Sequence, residues 1–216
     1  MDLKQFVQFG RKIVAVGRNY GAHAAELNNP LPKEPLLFLK PTSSYIEEGQ
    51  AIKVPRQCQE LHHEVELGVV IGKRCSGVDE SSALSYVGGY TLALDMTARD
   101  LQSAAKKAGL PWTVAKGYDT FCPVSRFISC SELPRPDSAT LWLSVDGQRR
   151  QHGNTNDMIF PIATLLSYIS NIMTLEPGDV VLTGTPEGVS AVQPGSRIEA
   201  GLDGVLQVSF PVEKSA

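Results

Sequence analysis

The sequence predicts an α+β fold with a sheet-dominated core and few helices. Short runs rich in β-branched and other apolar residues follow one another along the chain, and each run is bounded by Gly, Pro or Asp. Two segments instead show the apolar periodicity of an amphipathic helix. In chain order, the predicted strands include Lys12–Gly17, Pro35–Lys40, Glu64–Gly72, Val87–Met96, Thr140–Asp146, Asp179–Thr183 and Gly204–Val212.

Two helices are predicted between these strands. Thr97–Gly109 has an apolar stripe, and its last turn contains Lys106 and Lys107, which suit the negative end of the helix dipole. A glycine followed closely by a proline marks its end. Pro161–Met173 begins with a proline, which the first turn of a helix favours. The apolar face of this second helix contains Ile162, Leu165, Leu166 and Ile169.

The length of the chain suits a single domain. At 216 residues it should bury roughly 70% of the surface that the unfolded chain exposes. Residues 1–11 are predicted to be an N-terminal extension, and residues 12–216 the domain itself. The stretch from Asn28 to Pro35 is rich in turn-forming residues, so we expect a lid over about residues 18–34.

Composition and missing motifs argue against several classes of function. A net charge of −3 and a pI near 5.8 do not suit a nucleic-acid partner. No run approaches the ~20 apolar residues of a membrane span, so no membrane partner is expected. The 4 cysteines are too scattered for a zinc cage. The sequence contains neither the glycine-rich phosphate-binding motifs of nucleotide enzymes nor the G-x-S-x-G nucleophile elbow.

The predicted strand that begins at Glu64 is the most informative stretch. Because side chains alternate between the two faces of a strand, Glu64 and Glu66 point the same way, roughly 7 Å apart. The residues that follow are almost wholly apolar, so a divalent cation is the economical way to compensate the repulsion. The alternative is that both glutamates face water on an edge strand. His62 lies two residues before Glu64 and so points to the same face of the strand, where it either joins the site or packs beside it.

Asp95 lies where a second apolar strand meets the start of the first predicted helix. Three carboxylates from neighbouring strands suit Mg²⁺ or Mn²⁺ and leave about three of six positions for a 2-oxo acid and water. Alternatively, Asp95 or Thr97 caps the helix. On that helix Arg99 and Gln102 share a face. Arg99 could bind a carboxylate and Gln102 could orient a water, unless the face is simply solvated.

Further candidates are weaker when the residues are taken alone. Lys116 would ordinarily be a surface lysine. His23 and Glu26 lie three residues apart, so one helical turn would pair them as a general base and its partner. A solvated histidine–glutamate pair is the commoner outcome. Thr185 follows an apolar strand in a glycine-containing turn, where it could bind a substrate carboxylate or simply form the turn.

Four motifs resemble those of the fumarylacetoacetate hydrolase superfamily. They are HHEVELGVVIG from His62, GGYTLALDMTARDLQ from Gly88, GLPWTVAKGYDTFCPV from Gly109 and GDVVLTGTPEGV from Gly178. The resemblance runs from about Ile13 to the C-terminus and is strongest to a small branch of acylpyruvases and oxaloacetate decarboxylases. It implies a mixed β-sandwich roll of the fumarylacetoacetate hydrolase type.

The resemblance also implies roles for particular residues. The implied ligands of Mg²⁺ or Mn²⁺ are Glu64, Glu66 and Asp95. The lysine at 116 would stabilise an enolate oxygen, and the pair in the lid would fold over the substrate. The implied catalytic residues are His23, Glu26, Gln102 and Lys116, and the implied substrate-binding residues are Arg18, Arg99 and Thr185.

These features predict an enzyme that acts on small 2-oxo acids. The expected reactions are hydrolysis of acylpyruvates such as acetylpyruvate, to pyruvate and a carboxylic acid, and decarboxylation of oxaloacetate to pyruvate. One site can serve both because both generate the same pyruvate enolate. The alternatives are an oxaloacetate keto–enol tautomerase, another isomerase or hydratase of the superfamily, or a metal-binding β domain without catalysis. The resemblance further implies a homodimer and a mitochondrial location, with the cytosol as the alternative.

Overall fold

The structure is a computed structural model, and it describes residues 2–21 and 32–215. Most of its regular elements are strands. In chain order they are β1 Ile13–Gly17, β2 Leu36–Lys40, β3 Tyr45–Ile46, β4 Ile52–Val54, β5 Leu61–His62, β6 Val65–Ile71, β7 Val87–Leu94, β8 Thr97–Ala98, β9 Cys122–Pro123, β10 Ile128–Ser129, β11 Thr140–Val145, β12 Gln148–Asn154, β13 Val180–Leu182, β14 Ala191–Val192, β15 Arg197–Leu202 and β16 Leu206–Lys214. The helices are α1 Phe6–Phe9, α2 Glu80–Ala83, α3 Arg99–Ala108, α4 Thr113–Lys116 and α5 Ile162–Ser170.

The strands form mixed sheets, which confirms the prediction of a sheet-dominated α+β fold. A 6-stranded sheet has the order β10-β7-β6-β13-β1-β2, and a 5-stranded sheet has the order β12-β11-β15-β16-β4. A 3-stranded sheet, β14-β5-β8, and the pair β3-β9 complete the arrangement of the described strands. Both larger sheets contain a parallel pair among antiparallel ones: β1 with β13, and β16 with β4.

β6 lies inside the largest sheet because its sequence is apolar throughout. Every residue from Val65 to Ile71 is buried, as expected for a strand that is covered on both faces. On one side β6 pairs with β7, with Glu66 opposite Ala93 and Val65 opposite Leu94. On the other side it pairs with β13 only from Gly68 onward. The end of β6 near the glutamates therefore has no paired strand on the β13 side.

α3 begins later than the sequence predicted because its first residues form a strand. Thr97 and Ala98 pair with β5 instead of entering the helix. The end of α3 agrees with the prediction: Gly109 adopts φ 67°, and its N–H bonds back to the carbonyls of Ala105 and Lys106. α5 buries the four apolar residues that its periodicity predicted.

The core is divided between two apolar clusters, and the chain start packs on the smaller one. Phe6 of α1 is buried in this cluster together with Ile13, Val180 and Leu182. The segment before residue 12 therefore covers one face of the large sheet. Within the described part of the chain, no helix is long and apolar enough to cross a membrane.

Candidate metal centre

Three carboxylates converge at the open end of β6. Glu64 immediately precedes β6, Glu66 lies within it, and Asp95 directly follows β7. The backbone N–H of Asp95 donates to the carbonyl of Glu64 at 2.8 Å, which holds the two strand ends side by side. One oxygen of each carboxylate lies within 4.8 Å of the other two. The structure thus brings together the three residues that the sequence singled out as ligands.

The triad is buried, so two of the alternative interpretations are wrong. The exposed fractions are 7% for Glu64, 1% for Glu66 and 0% for Asp95, and β6 is an interior strand of its sheet, not an edge strand. Asp95 does not cap α3, since the N-cap residue is Ala98 and has no side-chain hydrogen bond. The Thr97 hydroxyl donates to Glu64 Oε1 at 3.0 Å and does not accept from the helix.

Positively charged side chains surround the carboxylates. Lys116 Nζ donates to Glu64 Oε2 at 3.0 Å and to Asp95 Oδ2. Lys40 Nζ forms an ion pair with Asp95 Oδ1 at 2.8 Å. Arg99 forms an ion pair with Glu64 Oε1. Lys116 is 2% exposed, so the interpretation of it as a surface lysine is wrong.

Burial and like charge act together on the triad. Burial, and then the carboxylates of Asp95 and Glu64, raise the pKa of Glu66 well above its ordinary range. The N–H of Gly184, which donates to Glu66 Oε2 at 2.7 Å, acts in the opposite direction but is outweighed. Burial alone would lower the pKa of Lys116, yet Asp95 and Glu64 outweigh it and raise that pKa. Ionising all three carboxylates together is therefore costly unless more positive charge arrives.

The donor set fits a hard divalent cation. Carboxylate oxygens are the ligands that Mg²⁺ and Mn²⁺ prefer. Glu64, Glu66 and Asp95 each offer one oxygen at a spacing that a single cation can bridge. Because they supply three ligands, about three octahedral positions would remain for substrate and water.

α3 presents Arg99 and Gln102 to the triad, as their spacing predicted. Arg99 donates from Nη1 to Gln102 Oε1 and from Nη2 to Glu64 Oε1, so it links the buried amide to the carboxylates. His62 is held beside them: its Nδ1 accepts from Arg99 Nε at 3.3 Å, and its Nε2 contacts Glu60 at 2.7 Å. Burial lowers the pKa of His62. This histidine therefore packs next to the site, and it is not part of the ligand group.

Thr185 lies in the turn after β13, close to the triad. Its hydroxyl donates to the Val65 carbonyl at 2.8 Å and accepts from Gln151 Nε2 at 2.8 Å. Since its one proton is already used, Thr185 could meet a substrate only through its remaining lone pair or its backbone. Its role in substrate binding stays a prediction.

The segment after β1 carries further candidates. Arg18 adopts φ 60°, a conformation that is uncommon for residues other than glycine and is found often at functional sites. Partial desolvation, together with the charges of Arg99 and Arg18, lowers the pKa of Lys106 to about 8. His23 and Glu26 lie outside the described residues, so their pairing remains a prediction.

Lys40 was missed by the sequence analysis. Besides its ion pair with Asp95, its Nζ donates to the carbonyls of Met96 at 3.2 Å and Lys116 at 2.6 Å, which ties three segments of the site together. A signal was present in the sequence: Lys40 ends a strongly apolar strand, where a charged side chain needs a buried partner. Tyr20 was also missed, and its buried hydroxyl makes no hydrogen bond with any described residue.

Comparisons with known proteins match the chain to a family. The sequence model described as "Fumarylacetoacetate (FAA) hydrolase C-terminal" matches residues 12–213. The chain is 61% identical over 206 residues to a protein of Oryza sativa subsp. japonica named "Oxaloacetate tautomerase FAHD2, mitochondrial", covering 94% of this chain and 91% of that one. It is 57% identical over 204 residues to "Oxaloacetate decarboxylase, mitochondrial" of Dictyostelium discoideum, covering 94% of each chain.

A solved structure with the same fold carries a metal ion. It is the crystal structure of fumarylpyruvate hydrolase from Pseudomonas aeruginosa in complex with Mn²⁺ and pyruvate. Its TM-score to this chain is 0.90 and its sequence identity is 36%, with 95% of this chain and 91% of that chain covered.

Proposed function

The chain belongs to the fumarylacetoacetate hydrolase family, and on that premise we propose that it is a divalent-cation-dependent enzyme that interconverts the keto and enol forms of oxaloacetate. The observation that carries the proposal is the buried carboxylate triad and its ring of cationic side chains. The names of the relatives support the choice of oxaloacetate as substrate.

The charge balance of the site favours a dicarboxylate. Three carboxylates and three cationic side chains cancel one another, so a bound divalent cation would leave two positive charges. Oxaloacetate has two carboxylates and would neutralise them, whereas an acylpyruvate such as acetylpyruvate has only one. Charge complementarity of this kind raises both affinity and the rate of encounter. The groups counted are Glu64, Glu66, Asp95, Lys40, Lys116 and Arg99.

Tautomerisation moves a proton between C3 of the substrate and its 2-oxo oxygen, and negative charge accumulates on that oxygen during the transfer. A divalent cation, when bound, supplies Lewis-acid stabilisation of that charge. Lys116 holds a proton at a buried Nζ beside the same carboxylates and adds a second source of positive charge there. Arg99 would direct its remaining N–H groups at a substrate carboxylate, and Gln102 keeps the guanidinium oriented.

Cleavage is the second candidate, and the names of two similar proteins support it. The Dictyostelium relative is named a decarboxylase, and the Pseudomonas structure is that of a hydrolase with pyruvate. From the sequence alone, cleavage was the expected reaction and tautomerisation an alternative. The tautomerase named at 61% identity moves tautomerisation ahead of it. Hydrolysis also needs an activated water, for which the predicted base is His23 with Glu26.

The two candidates differ in their products. We expect the purified protein to accelerate the change in ultraviolet absorbance of enol-oxaloacetate above its spontaneous rate, with Mg²⁺ or Mn²⁺ present and not with a chelator. Pyruvate, assayed in the same samples, should form much more slowly. Stoichiometric pyruvate would favour cleavage, and parental absorbance changes in the chelated sample would contradict cation dependence. Acetylpyruvate in place of oxaloacetate tests the hydrolytic activity separately.

We further propose that the protein is a homodimer. β2 forms an edge of the 6-stranded sheet, and Leu36 and Leu39 are exposed on it beside a groove of about 730 Å³. An open sheet edge with apolar side chains is a typical surface for association. The mass of one chain is 23.4 kDa, and light scattering should give twice this value. A measured mass equal to that of a single chain would contradict the proposal.

The proposed location is the mitochondrion. The relatives from rice and Dictyostelium both have "mitochondrial" in their names. A fluorescent protein fused to the C-terminus of the full-length protein should coincide with a mitochondrial marker. Diffuse cytosolic fluorescence would support the alternative compartment instead.

A further inference from the structure

The edge of β6 that faces β13 is completed by side chains where the backbone ladder stops. The last backbone pair of this ladder joins Gly68 and Leu182. One further backbone bond follows, from the Thr183 N–H to the Leu67 carbonyl at 3.1 Å, and the Thr183 hydroxyl donates to the same carbonyl at 2.8 Å. The Val65 carbonyl instead accepts from the Thr185 hydroxyl at 2.8 Å. At Val65, between the two glutamates, a side chain therefore takes the place of the neighbouring strand.

On this edge the N–H of Val65 is bound by Gln151. This residue comes from β12 of the 5-stranded sheet and is 0% exposed. Its Oε1 accepts from Val65 N at 3.0 Å, and its Nε2 donates to Thr185 Oγ1 at 2.8 Å and to the Pro186 carbonyl at 2.9 Å. The orientation of the amide is determined at both ends, because Val65 N can only donate and the Pro186 carbonyl can only accept.

His63 extends the same network. Its Nδ1 lies 2.9 Å from Gln151 Oε1, which is an acceptor, so Nδ1 carries the proton. Its Nε2 then accepts from the Ser190 hydroxyl at 2.9 Å. Gln151 thus binds on both sides of Glu64, to the side chain of His63 and to the backbone of Val65.

We propose that Gln151 is a positioning residue that sets the geometry of the cation site through Val65 and Thr185. The inference rests on the proposed function. The peptide that Gln151 binds lies between Glu64 and Glu66, whose carboxylates repel each other and Asp95. On the side away from β7 no strand holds this stretch of backbone, so without another support the glutamates could move apart when no cation is present. A fixed amide between them keeps the ligand oxygens near the binding geometry, which strengthens binding because less ordering is needed.

Every hydrogen-bonding atom of the Gln151 amide has a partner, so removing the amide should have a measurable effect on the site. Each buried polar atom of Gln151 has a partner, and removing the amide would leave the Val65 N–H and the Pro186 carbonyl without one. Partners of this kind, which hold the ligands of a metal without touching it, typically change metal affinity or activity by about 10–100-fold when they are mutated.

Gln151→Met tests the inference, because methionine has nearly the same shape and cannot make the hydrogen bonds. Gln148→Met is the matched control, since Gln148 lies on the same strand and is exposed. Mg²⁺ affinity is measured by calorimetry on the folded, metal-stripped proteins. We expect the dissociation constant of Gln151→Met to rise by roughly 10–100-fold and that of Gln148→Met to match the parent. The kcat of Gln151→Met should recover towards the parental value at saturating Mg²⁺.

An Mg²⁺ affinity equal to the parent's in folded Gln151→Met would overturn the inference and leave Gln151 a purely structural role. If Gln151→Met does not fold, Ser190→Ala serves as the second test, because it removes only the hydroxyl that orients His63. We expect a few-fold weaker Mg²⁺ affinity in Ser190→Ala. An unchanged affinity would mean that the inference is wrong. Calorimetry needs no substrate. A parent that binds Mg²⁺ but does not turn over oxaloacetate would therefore refute the proposed function without deciding the role of Gln151.

Discussion

At the scale of single residues, Lys116 shows how strongly the folded environment alters a side chain. In the sequence it is one lysine among 20 basic residues, and its four-residue helix gives no sign of burial. In the structure it bridges Glu64 and Asp95 and lies over the ring of Phe38 at 4.8 Å. The carboxylates were predictable because strand alternation places Glu64 and Glu66 together. Lys40 was not proposed, because its partner lies 55 residues away in the chain and only the fold joins them.

Replacing Lys116 should separate chemistry from metal binding. In Lys116→Met we expect kcat to fall roughly 10²–10³-fold, since a buried positive charge beside the developing negative charge is lost. Mg²⁺ should bind at least as tightly as before, because a cation that competes for Glu64 and Asp95 is gone. Steady-state kinetics and calorimetry measure the two effects, with Lys107→Met on the exposed side of α3 as the control. A parental kcat would remove Lys116 from the mechanism.

At the scale of elements, the sequence predicted most of the longer strands and helices, although β12 and β15 were not predicted. The predicted strands around β1, β2, β6, β7, β11, β13 and β16 are all present, and so are both predicted helices. The two-residue strands such as β5, β8 and β14 were not predicted. They are too short for a periodic pattern to form, and they exist because tertiary contacts bring their backbones together. β8 also explains why α3 starts at Arg99 and not at Thr97.

The C-terminus of α3 can be tested independently of the site. Gly109 has φ 67°, and a Cβ placed there meets nothing within 4 Å, so a substitution is opposed by backbone conformation alone. Gly109→Ala should lower the free energy of unfolding by about 1 kcal/mol, measured with urea. Ser103→Ala, at an exposed position within α3, should leave it unchanged or slightly higher. An unchanged stability in Gly109→Ala would show that this helix end is not held in the left-handed conformation.

At the scale of the whole molecule, the site lies where different parts of the fold meet. β6 and β7 supply the carboxylates, β2 supplies Lys40, α3 supplies Arg99, and the 5-stranded sheet supplies Gln151. The sequence predicted the residues on the first two strands but not how the second sheet reaches them. Because several elements meet at the carboxylate triad, the net charge of the triad should affect the free energy of unfolding of the whole protein.

Glu66→Gln should make the metal-free protein more stable. The substitution removes one charge from a buried repulsive cluster and retains an oxygen that can accept from Gly184 N. We expect the free energy of unfolding in a chelator to rise by about 1 kcal/mol or more. The parent should instead gain about 2.7 kcal/mol when Mg²⁺ is at 100 times its dissociation constant, and the variant should gain much less. Urea unfolding with EDTA and with Mg²⁺ measures both, and equal stabilisation by Mg²⁺ in the two proteins would contradict the ligand assignment.

The central claim is that a cation held by the carboxylate triad drives oxaloacetate tautomerisation. The most direct measurement is the initial rate of enol-oxaloacetate conversion as a function of Mg²⁺ concentration, in the parent and in Glu66→Gln. The account predicts a saturable rise in the parent from the spontaneous rate, and a rate in Glu66→Gln that stays near the spontaneous one at Mg²⁺ concentrations that saturate the parent. Equal saturating rates for the two proteins, or a parental rate that does not depend on Mg²⁺ or Mn²⁺, would contradict it.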